Sequence, residues 1–148
     1  MSLFHHTEEK AEAGVVSLNE KESVVGLLFL VVTADGSIAP EEEELVIAAS
    51  NRMKLLRCLA IPEFNTVVQK VRDAIDAKGR AEVFAAAIKG LPVDLGETVY
   101  ALAADIVSVD GVVEPAEITC LREMQEALGI SDDLATKVLE VMRIKNRG

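Results

Sequence analysis

Four acidic side chains stand where cation chemistry could use them: Asp35, Glu42, Asp110 and Glu117. They form two pairs of identical spacing. Asp35-Gly36-Ser37-Ile38-Ala39-Pro40-Glu41-Glu42 is echoed by Asp110-Gly111-Val112-Val113-Glu114-Pro115-Ala116-Glu117, so aspartate, glycine, an aliphatic residue, proline and glutamate recur in register. A calcium loop of the EF-hand kind reads D-x-[DN]-x-[DN]-G-x5-E. With Gly36 and Gly111 as its glycine, Asp35 and Asp110 take the fifth position, Glu42 and Glu117 the twelfth. The front half is missing: its first and third positions fall on Val31 and Thr33, and on Ile106 and Ser108. Valine and isoleucine side chains cannot ligate, so a high-affinity EF-hand is excluded. Two carboxylates per turn are too few for Ca²⁺, which takes six to eight oxygens. They suffice if water completes the shell, or if the two turns face each other and pool all four. Hard cations, Mg²⁺ or Ca²⁺, suit such oxygens, and with no His or Cys beside the turns they are favoured over Zn²⁺.

The same residues have a plainer use. Asp-Gly is a common turn, and a glutamate two residues after a first-turn proline is placed to cap a helix. Turn chemistry, cation binding and contact with a protein partner all stay open at this point.

The elements that must position the turns read as helices throughout. Ser17-Leu18-Asn19-Glu20 has the form of a capping box, and the helix after it, running to about Ala34, is apolar on every face from Val24 to Val32. Such a helix belongs at the centre of a bundle. Gly36 ends it in the left-handed conformation, and Pro40 opens a second helix with Glu41 to Glu44 in its first turn, favourable against the helix dipole. That helix carries Leu45, Ala48, Ala49, Met53 and Leu56 along one stripe. Pro62 opens a third, with Phe64, Val67, Val68, Val71 and Ile75 inward, and Gly79 stops it. A short fourth spans roughly Arg80 to Lys89. Pro92 opens a fifth, Val93 to Val109, apolar except for Asp105, a carboxylate that needs a partner if it is buried. Pro115 starts the sixth, Gly129 stops it, and Ser131 caps a seventh whose last turn is basic.

The chain of 148 residues fits one domain, able to bury roughly 70% of its unfolded surface. Half its residues are apolar, aromatics are scarce, and no strand-like alternation is bounded by hairpin turns. The expected fold is all-α: residues 1–16 a polar tail or surface helix carrying His5 and His6, residues 17–148 one domain of about seven helices. Within it, two similar three-helix units are joined by the short fourth helix, and their apolar opening helices pack together. A formal charge of −10 argues against nucleic acid, whose phosphates need clustered Lys and Arg, and against an anionic membrane surface. The longest apolar run, Val24 to Ala34, is too short to span a bilayer. With no signal peptide visible, the expected location is cytoplasmic. Cys58 and Cys120 lack any paired zinc or redox spacing and read as small buried apolar residues.

The D-G-x-[IV]-x-x-x-E turn, used twice between an apolar and an amphipathic helix, resembles the TerB-like tellurite-resistance family over most of the chain from Ser17 onward. The resemblance implies an all-α domain of bacterial stress-response systems. It also implies a metal ion held at the acidic turns, with Asp35, Glu42, Asp110 and Glu117 at the family's acidic positions, and action beside other tellurite-resistance proteins. No Ser-His or Cys-His pair and no glycine-rich phosphate loop is present to suggest catalysis. The expectation is therefore a non-enzymatic, cation-binding stress-response domain, or else an interaction module whose turns are only caps.

Overall fold

The computed structural model describes residues 15–36, 40–57, 59–109 and 113–147, without the side chains of 40–43. Its described residues form seven α-helices and no strand, so the domain is all-α as expected. The helices are α1 (Glu20–Val32), α2 (Pro40–Ser50), α3 (Ile61–Lys78), α4 (Arg80–Gly90), α5 (Gly96–Ser108), α6 (Pro115–Leu128) and α7 (Asp132–Lys145). Of the expected tail of residues 1–16, residues 1–14 with both histidines lie outside the described part, as does Cys58; Val15 is exposed and Val16 packs half-buried against the core.

Helix α1 is the hub. Every residue from Ser23 to Val32 is buried, and the helix packs on α2, α3, α4, α5 and α6. An amphipathic stripe would leave a wet face; a segment that is apolar all round can be satisfied only by neighbours on all sides. Helix α5 is the second hub, packed on α1, α2, α6 and α7. Its run from Ala103 to Ser108 is wholly buried. The two apolar helices therefore meet at the centre, which the sequence demanded and which leaves their C-terminal ends near each other.

Local chemistry sets most boundaries. Gly36, Gly79 and Gly129 have positive φ, and at Gly129 the left-handed residue closes α6 with its own N–H and that of Ile130 donating back to the last turn. Ser131 Oγ accepts from the Leu134 amide at 3.1 Å and opens α7.

Three expectations shift. The cap of α1 is Asn19, not Ser17: Asn19 Oδ1 accepts the Glu22 N–H at 2.9 Å, and Glu22 Oε1 accepts the Asn19 N–H at 2.9 Å. A tertiary bond favours this later start, because both Glu22 oxygens also accept from Lys70 Nζ of α3 at 2.9 Å. Helix α2 stops at Ser50, where Ser50-Asn51 supplies two weak helix formers. Met53 and Leu56 reach the core from the turns beyond it, and Val46 is buried where Ala48 is exposed. Pro92 opens a 3-10 turn, Val93–Leu95, before α5 proper begins at Gly96; Val93 is left almost fully in solvent.

An arginine secures the end of the hub. Arg80, the first residue of α4, donates to the Leu30 carbonyl and, at 3.0 Å, to Thr33 Oγ1, which itself donates to the Phe29 carbonyl at 2.7 Å. The Leu30 carbonyl, which no helical N–H reaches, thus finds a charged donor.

Candidate functional site at the paired helix ends

The C-terminal ends of α1 and α5 open onto one cavity of about 220 Å³. Val32 and Asp35 line it from the first turn region. Ile106, Val107 and Val109 line it from the second, together with Glu114 and Glu117 at the start of α6 and Leu45 of α2. Asp35 and Glu117, one acidic residue from each copy of the repeated phrase, therefore border the same space. Glu42 lies on α2 with its side chain outside the described set, and Asp110 lies outside the described residues altogether.

Each described carboxylate has a distinct setting. Asp35 is exposed and follows the end of α1. Glu117 is half-buried in the first turn of α6, where Oε1 accepts the backbone N–H of Glu114 at 2.9 Å. This glutamate is thus a capping residue as well as a lining residue. Glu114 is the addition that sequence reasoning passed over. It is the residue before α6, and its counterpart in the first phrase is Ala39, so comparing the two copies by what they share discards it. The break in the repeat was the signal. Among the described residues, no three His, Cys, Asp or Glu side chains lie close enough to hold an ion between them.

The backbone adds to the electrostatics. A helix C-terminus carries a partial negative charge equivalent to about half an elementary charge, and it attracts cations. Two such ends meet here beside Asp35, Glu114 and Glu117, offset in part by the positive N-terminal end of α6 to which both glutamates belong. The cavity's floor of Val32, Leu45, Ile106 and Val107 is apolar, which raises the strength of any charge interaction above it.

Asp105 has the partners its burial requires. The residue is 9% exposed on α5, and its carboxylate accepts from Asn146 Nδ2 at 2.8 Å, Lys145 Nζ at 3.2 Å and Arg52 Nη1 at 3.3 Å. It ties the end of α7 and the turn after α2 to the central helix, the structural role the sequence favoured. Cys120 is half-buried on α6. Burial pushes its thiol up to about 11, with Arg80 nearby pulling the other way, so at neutral pH it is an inert thiol.

The class these features define is an all-α domain with an acidic cavity at the joined ends of its two central helices. No family model, curated protein or solved structure matches the chain.

Proposed function

We propose that the domain is a TerB-like, non-enzymatic cation-binding module of a cytoplasmic stress response, taking a hard divalent ion such as Mg²⁺ or Ca²⁺ at the acidic cavity. The observation that carries this reading is that Asp35 and Glu117, from different turns, line one cavity. A single turn is only the rear half of a calcium loop; two turns on one cavity answer that shortage. Asp35 and Glu117 would supply carboxylate oxygens, with Glu42 and Asp110 as the remaining members of the set and water completing the shell. A bound ion would neutralise acidic turns of a chain carrying −10 and hold the two halves together. That no described helix is long and apolar enough to cross a membrane accords with this reading. Partners would be other proteins of the same stress response.

The test is a melting curve on chelator-treated protein titrated with MgCl₂ or CaCl₂. Saturation to a hundred times Kd stabilises by about 2.7 kcal/mol, a Tm rise of several degrees. Asp35→Asn combined with Glu117→Gln should abolish the rise, while glutamine still serves as the helix cap. A Tm that stays flat to millimolar metal overturns the proposal.

One observation favours a second reading, an interaction module whose turns are only caps: Glu117 Oε1 already accepts the Glu114 amide. Flat metal titrations, with Glu117→Ala destabilising and Glu117→Gln neutral, are its signature.

A further inference from the structure

Beside the second acidic turn, α5, α6 and α7 line a larger cavity of about 490 Å³. That volume lies within the range of roughly 300–1,000 Å³ typical of small-molecule sites. Its lining mixes apolar side chains, Val113, Ile118, Leu121, Ala135 and Leu139, with polar ones such as Thr136. Two arginines line it, Arg122 of α6 and Arg143 of α7. Both are exposed at its solvent side, and neither makes an ion pair or hydrogen bond among the described residues. The remaining charge on the lining is Asp132, whose Oδ1 accepts Gln125 Nε2 at 2.7 Å.

The depth of the cavity holds a second polar signal. Tyr100 lines it from α5 with 2% of its surface exposed, and its hydroxyl makes no hydrogen bond among the described residues. Burial pushes the Tyr100 phenol up, which keeps it a neutral donor. A cavity with an apolar stretch of wall, two unpaired guanidiniums at its opening and the Tyr100 hydroxyl facing it suits a ligand that is mostly hydrocarbon with one anionic head.

We propose that this cavity binds a fatty-acid-like monocarboxylate, its chain along Ile118, Leu121 and Leu139 and its head between Arg122 and Arg143. Two guanidiniums against one carboxylate leave this opening positive on a chain whose overall charge is −10. The attraction of an anion here is therefore a local design of the site and not a property of the whole surface. Arginine in place of lysine matters, since its planar fork matches a carboxylate with two parallel hydrogen bonds. The cavity's volume, about 490 Å³, is that of a small-molecule site, whereas a partner helix needs a long open groove.

Isothermal titration of the full chain with dodecanoate, below its micelle concentration, reads the proposal directly. The controls are dodecanol, which keeps the chain without the charge, and butyrate, which keeps the head without the chain. Dodecanoate should bind at one site per protein, with dodecanol and butyrate each weaker by about tenfold or more. Arg122→Gln with Arg143→Gln should bring dodecanoate down to the affinity of dodecanol. Both sites are on the surface, so the fold, followed by circular dichroism, should be unaffected. Leu139→Trp, which fills the cavity, should abolish binding of both chain-bearing probes. Equal affinity for dodecanoate and dodecanol, insensitivity to the arginine pair, or no binding to millimolar concentration would each overturn it. Vesicles of anionic phospholipid provide the last arm: capture by vesicles with no binding of free dodecanoate also overturns it, by assigning the arginines to a membrane headgroup.

Discussion

The side-chain amide of Asn146 donates to Asp105 Oδ1 at 2.8 Å, so the residue just past the last helix is bonded to the most buried carboxylate of the central helix α5. Asn146 Nδ2 also reaches the Met142 carbonyl at 2.9 Å, closing the end of its own helix. Lys145 and Arg52 complete the knot, with side chains 44% and 58% exposed against 12% for Asp105. The cations can return to water if the knot is cut, and the carboxylate cannot.

That asymmetry makes the first prediction. Asp105→Ala should lower stability by about 1–3 kcal/mol, because hydrogen bonds are lost but no buried charge is stranded. Asn146→Ala leaves the carboxylate under-satisfied and should cost about as much. A double-mutant cycle by urea unfolding should show a coupling of roughly 0.5–3 kcal/mol. Strict additivity of the two changes would mean the bond contributes nothing.

Arg80 is placed to matter for the hub helix. Replacing it with alanine leaves the Leu30 carbonyl without its donor and should cost about 1–3 kcal/mol. Lysine should rescue only part of this, since one ammonium cannot copy a guanidinium that reaches Leu30 and Thr33 together. Hydrogen exchange offers the local readout. The last amides of α1 should lose protection in Arg80→Ala more than those of α7; equal loss in both helices would point to a global effect instead.

Gly90 is held by contact and not by its backbone angle. A Cβ built there would lie 2.4 Å from the Leu18 carbonyl oxygen and 2.3 Å from Ser23 Oγ. Gly90→Ala should therefore destabilise by about 1–3 kcal/mol through overpacking. Ser23→Ala behaves oppositely, because Ser23 Oγ is buried and has no hydrogen-bond partner among the described residues. Removing it should be neutral or stabilising by about 1 kcal/mol. It should not rescue Gly90→Ala, since the Leu18 carbonyl stays in the way; full rescue in thermal melts would contradict the geometry.

Cys120 gives the pH dependence. Its folded pKa, raised by burial to about 11, stands above the ordinary value of 9.0. Below the ordinary value both states hold the proton and nothing is lost. Between the two values the unfolded chain releases a proton that the folded chain keeps, so stability falls as pH rises through that window. Cys120→Ala should flatten this decline. In a Cys58→Ser background, alkylation of Cys120 at pH 8 should be far slower than that of a free thiol, and a free-thiol rate would refute its burial.

Helix identity was legible because its causes are local. Prolines at 40, 62 and 115, positive-φ glycines at 36, 79 and 129, and the Ser131 cap act within a turn of chain. The all-round apolar character of α1 also predicted that it would be enclosed, and the composition of α5 predicted that Asp105 would need partners. Reading failed where a distant contact chose between local options. Asn19 displaced Ser17 as the cap where Lys70 of α3 engages Glu22. The stripe through Leu56 held as burial at Ala49, Met53 and Leu56 but not at Ala48, and not as one continuous helix.

By itself, then, the sequence determined an all-α chain, two apolar helices that had to meet, and two acidic turns built on the same pattern. Only the tertiary structure decided that Asp35, Glu114 and Glu117 border one cavity, that Arg52, Lys145 and Asn146 converge on Asp105, and that Arg122 and Arg143 line another. The physical reason is range. Turn and cap chemistry is encoded in neighbours a few residues apart, whereas a cavity is what remains after side chains from several helices have packed, and no single segment carries its shape.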